Sequence, residues 1–166
     1  MQYSIGVEYA LHCLVYLIEV PPDSSIGIKE LSAFQGISET HLSKMFGKLT
    51  KAGIVKSIPG VKGGYSLSKS PEEISFLDVI DAIEGTNPIF QCKNIIANGI
   101  LYQDKECTSC TADTPPCTIN LVMLEAEEHM RSFLRSKTLK WLNEDLERVL
   151  PRQIRNDTRK YFSAPK

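Results

Sequence analysis

The 166-residue chain lacks several things that would place it quickly. Its first twenty residues, MQYSIGVEYALHCLVYLIEV, have no basic leader and no small-residue cleavage site, and they carry Glu8 and Glu19. That excludes a signal-peptide pattern. The stretch is also too short and too polar to cross a bilayer. Without such signals the chain is expected in the cytoplasm. The net charge is only −1, so no global basic field draws in nucleic acid. There is no phosphate-cradling loop, no nucleophile–base pairing and no recognisable pair of acids, so an enzyme is not expected. His41 and His129 are isolated and read most simply as surface or helix-packing residues. No internal repeat is visible. The size allows one domain with a sizeable core plus an accessory segment, and 42% hydrophobic content is ordinary for a globular protein.

What is present is a segregation of charge. Residues 44–69 hold six lysines and no acid, and residues 72–84 hold five acids and no base. Local potential rather than net charge steers a nucleic-acid ligand.

Apolar spacing predicts a first helix over residues 3–20, through Ile5, Tyr9, Leu11, Leu14, Val15 and Ile18, stopped by Pro21, Pro22 and Asp23. A short second helix covers residues 28–35, with Leu31 and Phe34 as core candidates, and Gly36 makes the following turn. Ser38 is a suitable N-cap for a third helix reaching about residue 52, with His41 at N3, a cap without a capping box. Gly53 ends that helix. Two short strands follow, 54–58 and 65–68, joined by a turn with Pro59, Gly60, Gly63 and Gly64. Residues 75–85 form a fourth helix with Phe76, Val79, Ile80 and Ile83 on one side. Residues 86–117 show little periodicity. A long helix starts near Thr118, with Ile119, Val122, Met123, Ala126, Met130, Phe133 and Leu134 at helical spacing, and another covers 139–150 before Pro151. Residues 151–166 read as a polar, basic and poorly ordered tail.

The fold class is therefore mainly α with a small β-hairpin wing: a winged helix-turn-helix in residues 1–85, a cysteine-containing loop in 86–117, and helices in 118–150. Two helices joined by a tight turn set the second across the DNA major groove. On the third helix Leu42, Phe46 and Leu49 fit the buried stripe, which leaves Ser38, Glu39, Thr40, His41, Ser43, Lys44 and Lys48 outside. Hydroxyls at a helix N-terminus suit bases or phosphates; Lys44, Lys48 and Lys51 suit phosphates. The wing tip would present Lys62, Gly63, Gly64 and Tyr65, with the glycines allowing close approach to a sugar-phosphate backbone and Lys62 near the minor groove. The plainer alternative is a solvated lysine face and an ordinary hairpin.

The opening YSIGVEYALHCLVYL, the stretch ISETHLSKMFGKLTKAGIVKSIPGVKGGYSLSKSPEEISFLDVIDAIEG, the cysteine loop and the later SKTLKWL together resemble the Rrf2 family of bacterial transcription regulators, over about residues 1–150. The resemblance implies a homodimer whose long C-terminal helices pair and whose winged modules read a palindromic operator, as a repressor. The apolar stripe of residues 119–134 agrees with such pairing, although packing within one subunit is the alternative.

The resemblance also implies that some members hold an iron–sulfur cluster, usually [2Fe-2S], through closely spaced cysteines, while others hold none. Here Cys92, Cys107, Cys110 and Cys117 are separated by fourteen, two and six residues, which departs from the family's more even spacing. Asn120, at the family's usual fourth-ligand position, is a poor iron ligand. Glu8 and His12 share a face of the first helix, and some members recruit a ligand from that helix of the partner. Cys110 and Cys117, with His12 and Glu8 of the other subunit, form one candidate ligand set, with Cys92 and Cys107 as alternatives. Other readings stay open: an i, i+4 ion pair for Glu8 and His12, a Cys107–Cys110 thiol switch, a zinc ion held without the paired CxxC signature, no cofactor at all, or control by a partner protein or small metabolite. Cys13 sits in an apolar helix and reads as a small core residue.

Overall fold

The computed structural model describes residues 3–21, 24–60, 63–93 and 117–163. Helix α1 is Ile5–Glu19, α2 is Ile28–Gln35 and α3 is Glu39–Lys51; strands β1 (Val55–Ile58) and β2 (Gly64–Leu67) follow, then α4 (Phe76–Glu84), α5 (Thr118–Ser136), α6 (Leu139–Val149) and α7 (Arg152–Ser163). The elements predicted up to residue 150 are all found. Among the described residues no helix is long and apolar enough to cross a membrane. The chain divides into two units, Met1–Thr86 with Phe133–Lys166, and Asn87–Ser132.

In the first unit α3 buries Leu42, Met45, Phe46 and Leu49, a stripe at helical spacing. These residues pack with Leu14 of α1, Leu31 of α2 and Val79, Ile80 and Ile83 of α4. The turn from α2 to α3 is set by Gly36 in the left-handed region, at φ +69°, with its N–H donating to the Ser32 carbonyl. Ser38 caps α3, its hydroxyl accepting from the His41 N–H at 3.2 Å.

The wing is a two-stranded antiparallel hairpin with Lys56 opposite Ser66 and Ile58 opposite Gly64. It is fastened to the segment before α2 by a bridge between Ile26 and Tyr65, each N–H donating to the other's carbonyl at 3.0 and 2.9 Å. The Tyr65 ring lies 4.7 Å from that of buried Phe46, so the wing root and α3 share one core. A second bridge joins Ser75 to Thr138, with Phe76 N–H donating to Lys137 and Leu139 N–H donating to Ile74. It locks the start of α4 to the start of α6.

Two expectations need correction. Within the expected poorly ordered tail, residues 152–163 are instead ordered and form α7. Its Phe162 is 9% exposed and stacks on Tyr16 at 5.3 Å. Its Arg155 is buried in ion pairs with Glu19 of α1 and Glu147 of α6. Phe34 is not a core residue. It is 37% exposed and forms the rim of an aromatic cluster with Tyr16, Tyr161 and Phe162.

The second unit contains the first part of α5. No residue of α5 is buried, and Ile119 and Val122 are 67% and 58% exposed. Glu127 accepts from the backbone N–H of Ile89 at 3.0 Å.

Candidate nucleic-acid interface and cysteine segment

The outer face of α3 is assembled as its sequence implies. Ser38, Thr40, His41, Ser43, Lys44 and Lys48 are all exposed. No hydrogen bond or ion pair engages the ammonium groups of Lys44, Lys51 and Lys56 among the described residues. His41 is less free, since its ring meets Tyr9 edge-on at 5.8 Å. Lys48 differs most: its Nζ donates to the carbonyl of Ile83 on α4 at 2.6 Å.

At the wing, Lys62 lies outside the described residues; Gly63, Gly64 and Tyr65 are half-buried. The two glycines answer to the protein's own backbone. A Cβ on Gly64 would stand 2.5 Å from the Ile26 carbonyl oxygen, and one on Gly63 would crowd Ile58 and come within 2.8 Å of the Gly60 oxygen. Gly64 is thus required by the bridge that anchors the wing, and Gly63 by the hairpin's own backbone, whatever else approaches them. Sequence reasoning did not identify Ile26, the partner in that bridge. The nearby signal was Gly27 followed by Glu30, whose carboxylate reaches back to the Gly27 N–H at 2.9 Å.

The acids of residues 72–84 are largely accounted for by helix ends. Glu73 accepts from the N–H and hydroxyl of Ser70, Asp78 from those of Ser75, and Glu84 from those of Ser4. The Ser70 hydrogen bonds hold the Glu73 carboxyl below its ordinary pKa, with Lys69 adding a smaller pull. Glu72 pairs with Lys140 at 3.8 Å.

Of the candidate metal ligands, Cys92 is exposed and Cys117 half-buried immediately before α5, while Cys107 and Cys110 lie outside the described residues. Glu8 and His12 are exposed on α1, and neither forms an ion pair or hydrogen bond among the described residues, with each other or otherwise. Glu8 lines a shallow depression with Tyr3, Ser4, Ile5, Val7 and Leu11. Among the described residues no three His, Cys, Asp or Glu side chains of one chain gather to hold a metal. The donor types, thiol with imidazole and carboxylate, suit iron or zinc. Cys13 is set apart by its surroundings. It is fully buried, its Sγ donates to Gln35 Oε1 at 3.3 Å, and burial pushes its thiol up to about 12.

A capped α3 behind a tight turn, backed by a wing rooted in the same core, defines a winged helix-turn-helix DNA-binding protein. The family model described as "Iron-dependent Transcriptional regulator" matches residues 3–145, and the chain belongs to this family, Rrf2. It is 34% identical over 145 residues to the HTH-type transcriptional regulator NsrR of Geobacillus kaustophilus, covering 87% of this chain and 91% of that one. Among solved structures, the oxidized form of Staphylococcus aureus CymR is similar, with TM-score 0.61, 26% identity and coverage of 87% and 97%. T. potens IscR shares the fold, with TM-score 0.65, 22% identity and coverage of 92% and 93%. The protein is a transcription regulator and not an enzyme.

Proposed function

We propose that this protein is a dimeric repressor that binds a palindromic operator and responds to redox or iron–sulfur status through its cysteine segment. The observation that carries the reading is the presence, in one chain of an iron-dependent regulator family, of Lys44 and Lys51 on α3 without a hydrogen bond or ion pair among the described residues, and of thiols at Cys92 and Cys117. Residues 1–85 form the DNA-reading part, 86–117 the sensor and 118–150 the dimerisation helices. The apolar, unburied side chains of α5 support pairing with a second copy.

On DNA, Ser38, Thr40, His41 and Ser43 meet base edges and phosphates at the start of α3. Lys44 meets phosphate, and the wing tip from Lys62 to Tyr65 follows the backbone. Cys110 and Cys117 of one subunit, with His12 and Glu8 of the other, would hold a [2Fe-2S] cluster. The exposure of Glu8 and His12, and their freedom from partners among the described residues, supports a role across the dimer. The cluster, when bound, supplies a redox- and occupancy-sensitive link between subunits.

Anaerobic purification with an absorption spectrum and iron, sulfide and zinc analysis tests this. Brown protein that bleaches in Cys110→Ser and Cys117→Ser is expected; colour retained in both overturns the ligand set. An unchanged spectrum in His12→Ala rejects ligation across the dimer. A second reading, a cofactor-free thiol switch, is favoured by the similarity to a CymR solved in an oxidized form. It predicts colourless protein whose DNA binding is lost on oxidation and restored by a thiol reductant.

A further inference from the structure

Lys48 stands apart from the other lysines of α3. The last carbonyls of a helix have no partner within it and carry the negative end of its dipole. At the end of α4 the Ile83 carbonyl is one of these, and Lys48 Nζ donates to it at 2.6 Å. The neighbourhood is tight. Ile83 is 5% exposed, and a Cβ on Gly6 would meet Ile83 Cγ2 at 3.4 Å and Met45 Sδ at 3.7 Å. The next residue, Glu84, is held by the N–H and hydroxyl of Ser4 at 3.1 and 2.5 Å. The last turn of α4 is therefore gripped by α1 on one side and by α3, through Lys48, on the other.

We propose that Lys48 is a positioning residue and not a phosphate contact: by tying α3 to the end of α4 it sets the pose in which α3 meets the major groove. Lys44 and Lys51 retain the phosphate role. The proposal rests on α3 being the helix that reads DNA. The two roles differ in what they do to salt dependence. A lost phosphate contact weakens binding to any sequence and flattens the plot of log K against log salt by about 0.9 per contact. A displaced reading helix loses base contacts, which costs selectivity and leaves that slope alone.

The test uses the full-length protein and two duplexes, one enriched by the wild type from a random library and one scrambled. Each is titrated over a salt series. Lys48→Met keeps the length of the side chain and removes the donor; Lys48→Arg keeps a donor; Lys44→Met is the comparator. Lys48→Met is expected to weaken the enriched duplex about tenfold, the scale of one lost base contact, with scrambled binding and both slopes as in the wild type. Lys48→Arg restores selectivity, and Lys44→Met flattens both slopes. The proposal is overturned if Lys48→Met flattens the slope as Lys44→Met does, or if Lys48→Arg fails to rescue. It is also overturned if Lys48→Met only lowers the active fraction or melting temperature at unchanged selectivity. Indifference of the enriched duplex to both Lys44→Met and Lys48→Met would refute α3 as the reading helix, and this role with it.

Discussion

Gly64→Ala tests the claim that the wing glycines serve the protein's own backbone. A Cβ at this position stands 2.5 Å from the Ile26 oxygen, 2.6 Å from the Ile26 carbonyl carbon and 2.9 Å from the Gly27 nitrogen, all backbone atoms that no rotamer change can move. Ordinary contact begins near 3.4 Å, so the strands must part by about 0.9 Å. The two Ile26–Tyr65 hydrogen bonds, now 3.0 and 2.9 Å, would then exceed hydrogen-bonding distance. Losing both costs about 2 kcal/mol, and residual overpacking adds about 1 kcal/mol or more. The stiffer unfolded chain returns about 0.4–1 kcal/mol. A net loss of about 2–3 kcal/mol corresponds to a melting temperature lower by roughly 5–10 °C in a chain of this size. Thermal melting at fixed protein concentration, with hydrogen exchange at the Ile26 and Tyr65 amides, reads both the magnitude and its location. Wild-type stability with both amides still protected would refute the reasoning. It would leave close approach by DNA as the reason for the glycine.

Three further outcomes follow from the same contacts. Gly47 is exposed in the middle of α3, and a Cβ there would meet nothing within 4 Å. It should accept Ala with a gain of about 0.8–1 kcal/mol in urea unfolding; a loss would refute the reading of open space at that position. Cys13, with its thiol raised from 9.0 to about 12 by burial, should resist alkylation at pH 8 in the folded state while Cys92 reacts. Because the unfolded thiol ionises first, its contribution to stability is full below pH 9 and declines by about 1.4 kcal/mol per pH unit between 9 and 12; the decline should vanish in Cys13→Ala. Arg155→Ala leaves the Glu19 carboxylate, whose side chain is 5% exposed, paired with Arg159 alone, and should cost about 3 kcal/mol by denaturant midpoint, whereas Arg148→Ala, breaking an exposed pair with Asp145, should cost under about 1 kcal/mol.

The elements whose signals are local were legible. Ser38, Gly36 and Gly53 mark the ends of α2 and α3 through bonds that span three to five residues. The stripe of Leu42, Phe46 and Leu49 declared its face by periodicity alone. What escaped depends on partners distant in sequence. Helix α7 has only three apolar side chains, Ile154, Tyr161 and Phe162; what fixes it is Arg155 reaching Glu19 across 136 positions and Phe162 reaching Tyr16 and Phe34. A run of lysines looks uniform until Ile83, 35 positions on, is found to occupy one of them. The cysteine spacing gave no single ligand set, and two of its four members, Cys107 and Cys110, lie outside the described residues.

The Lys48 contact is one of several that converge on α4, which makes it more than a core helix. Its first turn is bonded to the start of α6 through Phe76, Lys137, Ile74 and Leu139. Its last turn is bonded to α1 through Ser4 and to α3 through Lys48. Its buried stripe, Leu77, Val79, Ile80 and Ile83, leaves it little room to slide without repacking the core. A helix fixed at both ends and along its length moves as a body or not at all. The chain enters residues 86–117 directly from the end of α4, at Gly85. The last turn of α4 therefore ties α1 and α3 to α4 at one point of the first unit.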